Sequence, residues 1–195
     1  MTRPRTEMIA ETRAKLIAAA RRAFGTIGYA NASMDDFTAE AGLTRGALYH
    51  HFGDKKGLLQ AVIQQIDTEM TARLHKISAK APTRWQAFVD ECVAYIEMAL
   101  EPEIQQIMFR DGTAILGDIS QWPSANGCIR ALADGLRRLQ ADGEISADID
   151  IEVTARLING ASAHAALWIA NSDDPQETSR RAVAGFRTLL DRLKS

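Results

Sequence analysis

Hydrophobic residues recur at three- and four-residue steps along almost the whole chain, which is the spacing of one face of an α-helix. The first such stripe predicts a helix over about 6–25 and contains Ile9, Leu16, Ile17, Ala20 and Phe24. A second stripe predicts a helix over about 54–80. No stretch alternates hydrophobic and polar residues in the manner of a strand, and no repeat or low-complexity tract occurs. The sequence therefore predicts an all-α fold.

Prolines and glycines divide the second half of the chain into further helices. Thr83 is expected to begin a helix, and Pro102 opens another helical segment. Irregular or broken helix is predicted over 111–123, where glycine and proline punctuate the sequence. The remaining predicted helices cover about 124–142, 150–171 and 175–194.

Two short helices joined by a tight turn are predicted between the two long N-terminal ones. Ser33 is a suitable N-cap, and Asp36 three residues later completes a capping-box pattern. Gly42 suits the positive φ at which the first short helix ends. Thr44 is a second N-cap, for a helix that runs to about His51. The spacing predicts a helix-turn-helix.

The two faces of this second short helix differ in chemistry. Leu48 and Phe52 share one face at i, i+4 spacing, while Arg45 and Tyr49 share another. A helix this short needs its apolar face buried, which leaves the Arg45 and Tyr49 face outward. A helix-turn-helix that reads DNA presents such a face to the major groove.

The same residues strongly resemble the DNA-binding segment of the TetR family of bacterial transcriptional regulators. The resemblance is carried by Phe24-Gly25-Thr26-Ile27-Gly28-Tyr29, Ala41 through Phe52, and Asp54-Lys55-Lys56 with Leu59. It is strong over the first third of the chain and loose beyond it. Phe37 and Thr38 depart mildly from the family pattern, which bears on the packing of their helix.

Several residues of the helix-turn-helix have side chains that suit DNA. Thr44 can donate its hydroxyl to a phosphate, and Arg45 can bind guanine O6 and N7 or a phosphate. Gly46 allows close approach of the backbone, although glycine costs a helix about 1 kcal/mol relative to alanine. Tyr49 offers a ring to a thymine methyl and a hydroxyl to a phosphate. The alternative for Tyr49 is a partly buried core residue.

The resemblance implies three further contacts with the DNA backbone, by Ser33, His50 and Lys55. Lys55 and Lys56 also begin a predicted helix, where the macrodipole disfavours a cation by roughly 0.3–1 kcal/mol. A phosphate at that helix end would account for them, and two solvated lysines are the alternative. The segment before Thr6, which contains Arg3 and Arg5, is expected to be a terminal tail, with or without contacts to DNA.

The charge distribution agrees with a DNA-binding N-terminus. The 195-residue chain has a net charge of −2. Residues 1–60 carry nine lysines and arginines against six acidic residues, whereas residues 61–195 carry fourteen against nineteen. The 46% hydrophobic and 25% charged composition is that of a globular protein, and no signal peptide or membrane span is evident, so a cytoplasmic protein is expected. Cys92 and Cys128 have no metal or redox spacing and are expected to be reduced thiols, a redox pair being the alternative.

The resemblance implies that residues 1–56 form the DNA-binding domain, with its motif at about 33–52, and that residues 57–195 bind an effector and dimerise. It places the dimer interface in the last two helices. Small residues there would allow close helix packing, namely Gly160, Ala161, Ala163, Ala165 and Ala166. Packing within one subunit would explain the same residues equally well.

The middle helices would then form the effector-binding core, in which large apolar side chains are candidates for the pocket wall. These candidates are Trp85, Phe88, Cys92, Ile96, Met108, Phe109, Trp122, Leu157, His164 and Trp168. His164 faces the same way as Leu157 and Trp168, so it is expected in a pocket or as a core histidine bonded to a carbonyl. Arg110 and Asp111 are expected to pair in the core or to hold a polar ligand group.

These observations predict a homodimeric regulator that binds a palindromic operator in double-stranded DNA and is most simply a repressor released by a hydrophobic small molecule. No cofactor or metal is expected. An enzyme is disfavoured, because the acidic residues Glu97, Glu101 and Glu103 have no histidine at metal-ligand spacing and no nucleophile motif is present. The alternative is an all-helical small-molecule-binding or interaction protein that does not bind DNA.

Overall fold

A computed structural model describes residues 5–194 of the chain, with the side chains from residue 6 onward. Over this range the helices are α1 Arg5–Asn31, α2 Met34–Ala41, α3 Arg45–Phe52, α4 Lys55–Ser78, α5 Arg84–Glu97, α6 Pro102–Ile104, α7 Thr113–Leu116, α8 Ala125–Ala141, α9 Ile151–Ala170 and α10 Pro175–Asp191. A π-helical stretch, Gln105–Gly112, joins α6 to α7, and 3-10 turns lie at Met98–Leu100 and Ile119–Gln121. The only β pairing in the described range is an isolated bridge between Ile145 and Lys194. The all-α prediction is confirmed.

The two short helices begin and end at the predicted residues. Ser33 Oγ accepts a hydrogen bond from the Asp36 N–H at 3.1 Å and so caps α2. Gly42 ends α2 in the left-handed conformation, with φ of 66°. Thr44 Oγ1 accepts from the Ala47 N–H at 3.3 Å and caps α3. These caps fix the helix-turn-helix geometry locally.

The predicted end of α1 at Gly25 is wrong, because the helical stretch continues to Asn31. Gly25 is instead a packing position: a Cβ there would lie 3.5 Å from Glu103 Cγ. The break falls at Gly28, whose φ of 77° and ψ of 164° interrupt the helix. A helix is expected to end at the first glycine of this stretch, whereas the positive φ occurs at the second, Gly28.

The chain forms two compact units. The first unit runs up to Ile66 and also contains Pro102–Gly117, while the second comprises Asp67–Glu101 and the chain from Asp118 onward. The compact units therefore do not divide at residue 56, since α4 continues the first unit by ten residues and a segment from mid-chain returns to it. The functional division into residues 1–56 and 57–195 stays a prediction.

The core of the first unit forms around α1. The Phe24 and Phe37 rings meet edge to face with centroids 5.3 Å apart, so the unusual Phe37 is accommodated within the core. The returning segment Pro102–Gly117 is tied to α1 by two bonds from the Arg21 guanidinium to Glu103, each 2.8 Å long. The bonds to Arg21 hold the pKa of Glu103 below its ordinary value. Residues 102–117 are thus part of the same folded unit as the helix-turn-helix.

The second unit packs α9 against α5, α8 and α10. Its buried side chains include Phe88 on α5 and Leu136 on α8. Gly135 is required where these two helices approach, because a Cβ there would lie only 2.9 Å from Phe88 Cδ2. Phe88 and Gly135 also line the cavity described below.

Candidate nucleic-acid interface and interior cavity

Helix α3 presents the predicted polar face to solvent. Leu48 is completely buried, whereas Tyr49 is 52% exposed and Arg45 is also exposed. Burial of Leu48 anchors the short helix, and the Tyr49 ring is left uncovered within the first unit. The alternative reading of Tyr49 as a core residue is wrong.

Arg45 is held by an ion pair across the helix-turn-helix. Its Nη2 donates to Asp35 Oδ2 at 2.6 Å, and its Nε also contacts that carboxylate. The two side chains are 61% and 63% exposed, so water screens their attraction. An exposed pair of this kind is worth about 0–1 kcal/mol, and Arg45 can exchange Asp35 for another acceptor at little cost.

The backbone of α3 is accessible at Gly46. A Cβ added there would meet only Thr44 Oγ1, at 3.8 Å, which is an ordinary van der Waals distance. No atom of residues 5–194 therefore requires glycine at this exposed position. Thr44 and His50 are exposed on the same short helix and its cap, and Ser33 is half-buried as the cap of α2.

Lys55 lies against the protein in this conformation. Its Nζ is 4.3 Å from the centroid of the Tyr29 ring, and it also approaches the Ala30 carbonyl oxygen at 3.5 Å. Burial lowers the pKa of Lys55, and the nearby Asp111 carboxylate opposes that change. Asp111 in turn accepts a hydrogen bond from the Tyr29 N–H at 2.7 Å. Asp111 thus bonds to the Tyr29 backbone and to Gln106 within the first unit, and neither the pairing with Arg110 nor a ligand contact is seen for it in the described residues.

The junction between α3 and α4 depends on a glycine that sequence reasoning missed. A Cβ at Gly57 would lie 2.0 Å from the Phe52 carbonyl oxygen, which no side chain tolerates. Asp54 Oδ1 accepts the Gly57 N–H at 2.7 Å and caps α4. The sequence signal was available, because a glycine in the first turn of a long helix is unfavourable without a packing reason.

The second unit contains a cavity of about 770 Å³ that is partly open to solvent. Residues from α4, α5, α8 and α9 form its wall. The polar members of the wall are Asp67, Thr71, His75, Ser78, Arg84, Glu91, Tyr95, Ser124, Arg138, Asn159 and Ser162. The apolar members include Leu74, Phe88, Cys92, Leu132 and Leu139. A cavity of this volume holds a drug-sized molecule.

Two of the ten predicted pocket residues, Phe88 and Cys92, are in the wall of this cavity. Three others, Trp85, Ile96 and Trp122, are buried elsewhere in the second unit. Met108 and Phe109 are buried in the first unit. Contacts of these residues with an effector stay predictions, and the geometry favours only the first two.

The predicted pocket position of Leu157, His164 and Trp168 needs correction. Leu157 is 68% exposed, Trp168 is 46% exposed and His164 is exposed as well. These residues do share one face of α9, but that face points to solvent. The inward face carries Ala155, Ile158, Ser162 and Ile169. Apolar spacing predicted the stripe and could not tell which stripe of an apolar helix is covered.

An exposed apolar face therefore runs along the last two long helices. Val153 and Leu189 are 52% and 64% exposed and accompany the α9 residues. Isolated exposed apolar side chains are common, but several on neighbouring helices mark an interaction surface.

The environment of the cavity shifts several pKa values. Burial raises the pKa of Asp67. Burial, with smaller contributions from Cys128 and Asp67, raises the pKa of Tyr95. Burial also raises the pKa of Cys92 to about 12 and, together with Asp67, that of Cys128. Both cysteines are free thiols in the cavity wall and are protonated at neutral pH, which makes them poor nucleophiles.

Over residues 5–194 no three side chains of His, Cys, Asp or Glu are grouped to hold a metal ion. In the same part of the chain, no helix combines the length and the hydropathy that crossing a bilayer requires.

Comparison with known proteins agrees with the helix-turn-helix. The family profile "Bacterial regulatory proteins, tetR family" matches residues 16–62, and "Tetracyclin repressor-like, C-terminal domain" matches residues 85–193. The chain is 30% identical over 159 residues to the HTH-type transcriptional regulator UidR of Escherichia coli, covering 75% of this chain and 76% of that one. It is 44% identical over 66 residues to the regulator TtgR of Pseudomonas putida, covering 34% and 31%.

A solved structure resembles the whole chain. The TetR-family transcriptional regulator from Pectobacterium atrosepticum superimposes with a TM-score of 0.89 at 49% identity, covering 98% of both chains. The two family matches together span most of the sequence, and the structural match extends across both compact units. The chain belongs to the TetR family of transcriptional regulators, which is a family of DNA-binding proteins and not of enzymes.

Proposed function

We propose that the protein is a cytoplasmic repressor that binds a palindromic operator as a homodimer and leaves it when a small molecule enters the cavity of the second unit. The observation that carries the DNA-binding part is the solvent-facing side of α3, where Arg45 and Tyr49 are exposed while Leu48 holds the helix in the core. The accessible backbone at Gly46 supports a close approach to the groove.

The DNA-contacting residues in this proposal are Ser33, Thr44, Arg45, Gly46, Tyr49, His50 and Lys55. Arg45 and Tyr49 supply contacts to base edges, and the others supply contacts to phosphates. Lys55 must leave the Tyr29 ring to reach a phosphate. Because cation–π contacts at partly exposed sites are worth about 0.5–1 kcal/mol, a charge-assisted bond to phosphate can replace this one.

Dimerisation is needed because one short recognition helix gives weak binding. Two half-sites joined by a protein dimer gain from effective concentration. The exposed apolar face of α9 and α10 supports an interface in which these helices meet those of a second copy as a four-helix bundle. The same face explains why Leu157 and Leu189 are left uncovered in a single subunit.

Release would proceed through α4. This continuous helix contributes buried residues such as Leu59 and Val62 to the first unit, and its second half, from Asp67 to Ser78, contributes to the cavity wall. A ligand that prefers a tilted α4 would change the separation of the two recognition helices and mismatch them to the operator. Moving such an equilibrium from 1:99 to 99:1 takes a preference of about 5.5 kcal/mol between the two states.

The test is selection of DNA fragments from a random pool with the purified protein, followed by titration of the selected site. We expect a palindrome, and we expect Tyr49→Ala to weaken each half-site by about 1–3 kcal/mol. Arg130→Ala is the matched control, because Arg130 is an exposed residue of the second unit. Failure to enrich any site, or equal affinity of the Tyr49 and Arg130 variants, would contradict the proposal.

A further inference from the structure

Two carboxylates stand in the wall of the cavity without a partner. Asp67 on α4 and Glu91 on α5 both line it. Within residues 5–194 neither side chain takes part in a hydrogen bond or an ion pair. Carboxylates in a partly desolvated, apolar cavity are costly unless something compensates their charge.

The two carboxylates converge on one part of the wall. Burial is the main cause of the raised pKa values of Tyr95, Cys92 and Cys128; Asp67 adds to the rise at Tyr95 and Cys128, and Glu91 adds to the rise at Cys92 and Cys128. Both acids therefore act on the same thiol. The Tyr95 side chain lines the cavity at this place, and across the described residues its hydroxyl has no hydrogen-bond partner.

In the described part of the chain, the basic residues of the wall form no ion pair with Asp67 or Glu91. His75, Arg84 and Arg138 are exposed to solvent, and Arg84 is already paired with Asp142 at 2.5 Å. The pKa of Asp67 is raised by burial, and no basic group lowers it. The two carboxylates therefore give this part of the wall an acidic character that no basic group of the wall offsets, which suits a cationic ligand.

We propose that the cavity binds a lipophilic organic amine, whose ammonium group is held by Asp67 and Glu91 and whose apolar body lies against Phe88 and Leu74. This inference rests on the proposed function, since it names the chemical class of the effector. The Tyr95 hydroxyl accepts a further N–H bond, and its ring and that of Phe88 offer π faces to the cation. The volume of about 770 Å³ admits a body of two or more rings.

Neutral and anionic ligands fit the wall less well. A neutral alcohol can donate one hydrogen bond to Asp67 but leaves the charges of both carboxylates uncompensated. A carboxylate ligand adds a third negative charge to the same desolvated region, and the exposed Arg138 is too well solvated to offset it. Discrimination should therefore follow the charge of the head group.

The test uses three probes that share one body: 3,3-diphenylpropylamine, 3,3-diphenylpropanol and 3,3-diphenylpropanoate. Isothermal titration calorimetry on the full chain at pH 7.5 gives their dissociation constants. We expect the amine to bind at least tenfold more tightly than the alcohol and the carboxylate to bind most weakly. A Gly127→Phe variant should weaken all three, because Gly127 lines the cavity and a Cβ there meets nothing within 4 Å.

Charge-removing variants locate the amine. Asp67→Asn and Glu91→Gln should each weaken the amine at least fivefold and change the alcohol less than twofold. The matched control is Glu97→Gln, which removes an exposed carboxylate from the same helix as Glu91, outside the cavity wall. That variant should leave all three affinities unchanged.

The proposal is overturned if the alcohol or the carboxylate binds as tightly as the amine, if none of the probes binds, or if Asp67→Asn behaves like Glu97→Gln. A parallel gel shift on the selected operator separates this failure from failure of the proposed function. If the amine and the alcohol bind equally and both release DNA, the preference for amines is refuted, while repression released by a ligand stands. If the amine binds selectively but the protein selects no DNA site, the amine site stands and the proposal of a repressor is refuted.

Discussion

The ion pair between Arg45 and Asp35 predicts opposite effects of its two partners on DNA affinity. Arg45→Ala removes a contact to a base or phosphate and should weaken each half-site by about 1–3 kcal/mol, which is about 5- to 150-fold. Asp35→Asn frees Arg45 from a screened pair worth about 0–1 kcal/mol. It also removes a negative charge that stands beside the phosphates. We therefore expect Asp35→Asn to tighten binding by about twofold to tenfold per half-site.

The assay is fluorescence anisotropy of a labelled single half-site and of the full palindrome, at several salt concentrations. A double-mutant cycle then isolates the coupling, because the benefit of Asp35→Asn should shrink once Arg45 is alanine. Glu40→Gln is the matched control: it removes a carboxylate from the same helix, one that pairs with Arg22 instead of Arg45.

Folding stability should change little in either variant. Both side chains are mostly exposed, so unfolding free energies should stay within about 0.5 kcal/mol of the parent, with a few tenths lost in Asp35→Asn because an acid in the first turn favours the helix. The reasoning is refuted if Asp35→Asn weakens binding as Arg45→Ala does. In that case Asp35 would hold Arg45 in its binding geometry instead of competing with the DNA.

Four further substitutions test other parts of the structure. Lys55→Ala should weaken binding to all sequences and reduce the slope of log affinity against log salt by about one per half-site, measured by anisotropy. Gly57→Ala places a Cβ 2.0 Å from a carbonyl oxygen, so it should lower the free energy of unfolding by more than about 2 kcal/mol, measured by thermal unfolding, and abolish operator binding. Gly127→Ala is the control: its Cβ would meet no atom within 4 Å, and it should change neither property. Leu157→Glu puts a charge on the exposed apolar face, and light scattering should give the 21.4 kDa monomer in place of a dimer. Burial raises the pKa of Asp67 in the folded state, so the protonated carboxyl stabilises the fold at low pH. This stabilisation is lost as the pH rises through the folded-state pKa. Asp67→Asn should therefore raise the Tm at pH 8, and the gain should disappear in acid.

Local signals predicted the first unit well. Ser33, Gly42 and Thr44 each have side chains or backbone freedom that specify a cap or a turn within a few residues, and all three act as predicted. The packing role of Gly25 escaped prediction because its neighbours, Glu103 and Ile107, come from a distant part of the sequence. No local pattern contains that information.

The cavity was harder to predict because an effector pocket is expected to be lined by apolar side chains. Its distinguishing residues are polar, and Asp67 was detectable: it falls on the apolar stripe of α4, four residues after Ile63 and three before Met70. A charged residue on a buried stripe indicates either a pairing partner or a ligand. The outward face of α9 escaped prediction for another reason, since a helix apolar on two sides does not reveal which side a neighbour covers.

The return of residues 102–117 to the first unit matters for anyone who wishes to build chimeric regulators. Ile107 and Phe109 are wholly buried there, and Asp111 binds the Tyr29 backbone. A DNA-binding domain that ends at residue 56 or 66 would lack these side chains, and the surface that they cover would be exposed. Grafting this protein's operator specificity onto another effector domain should therefore require transplanting both stretches of sequence together.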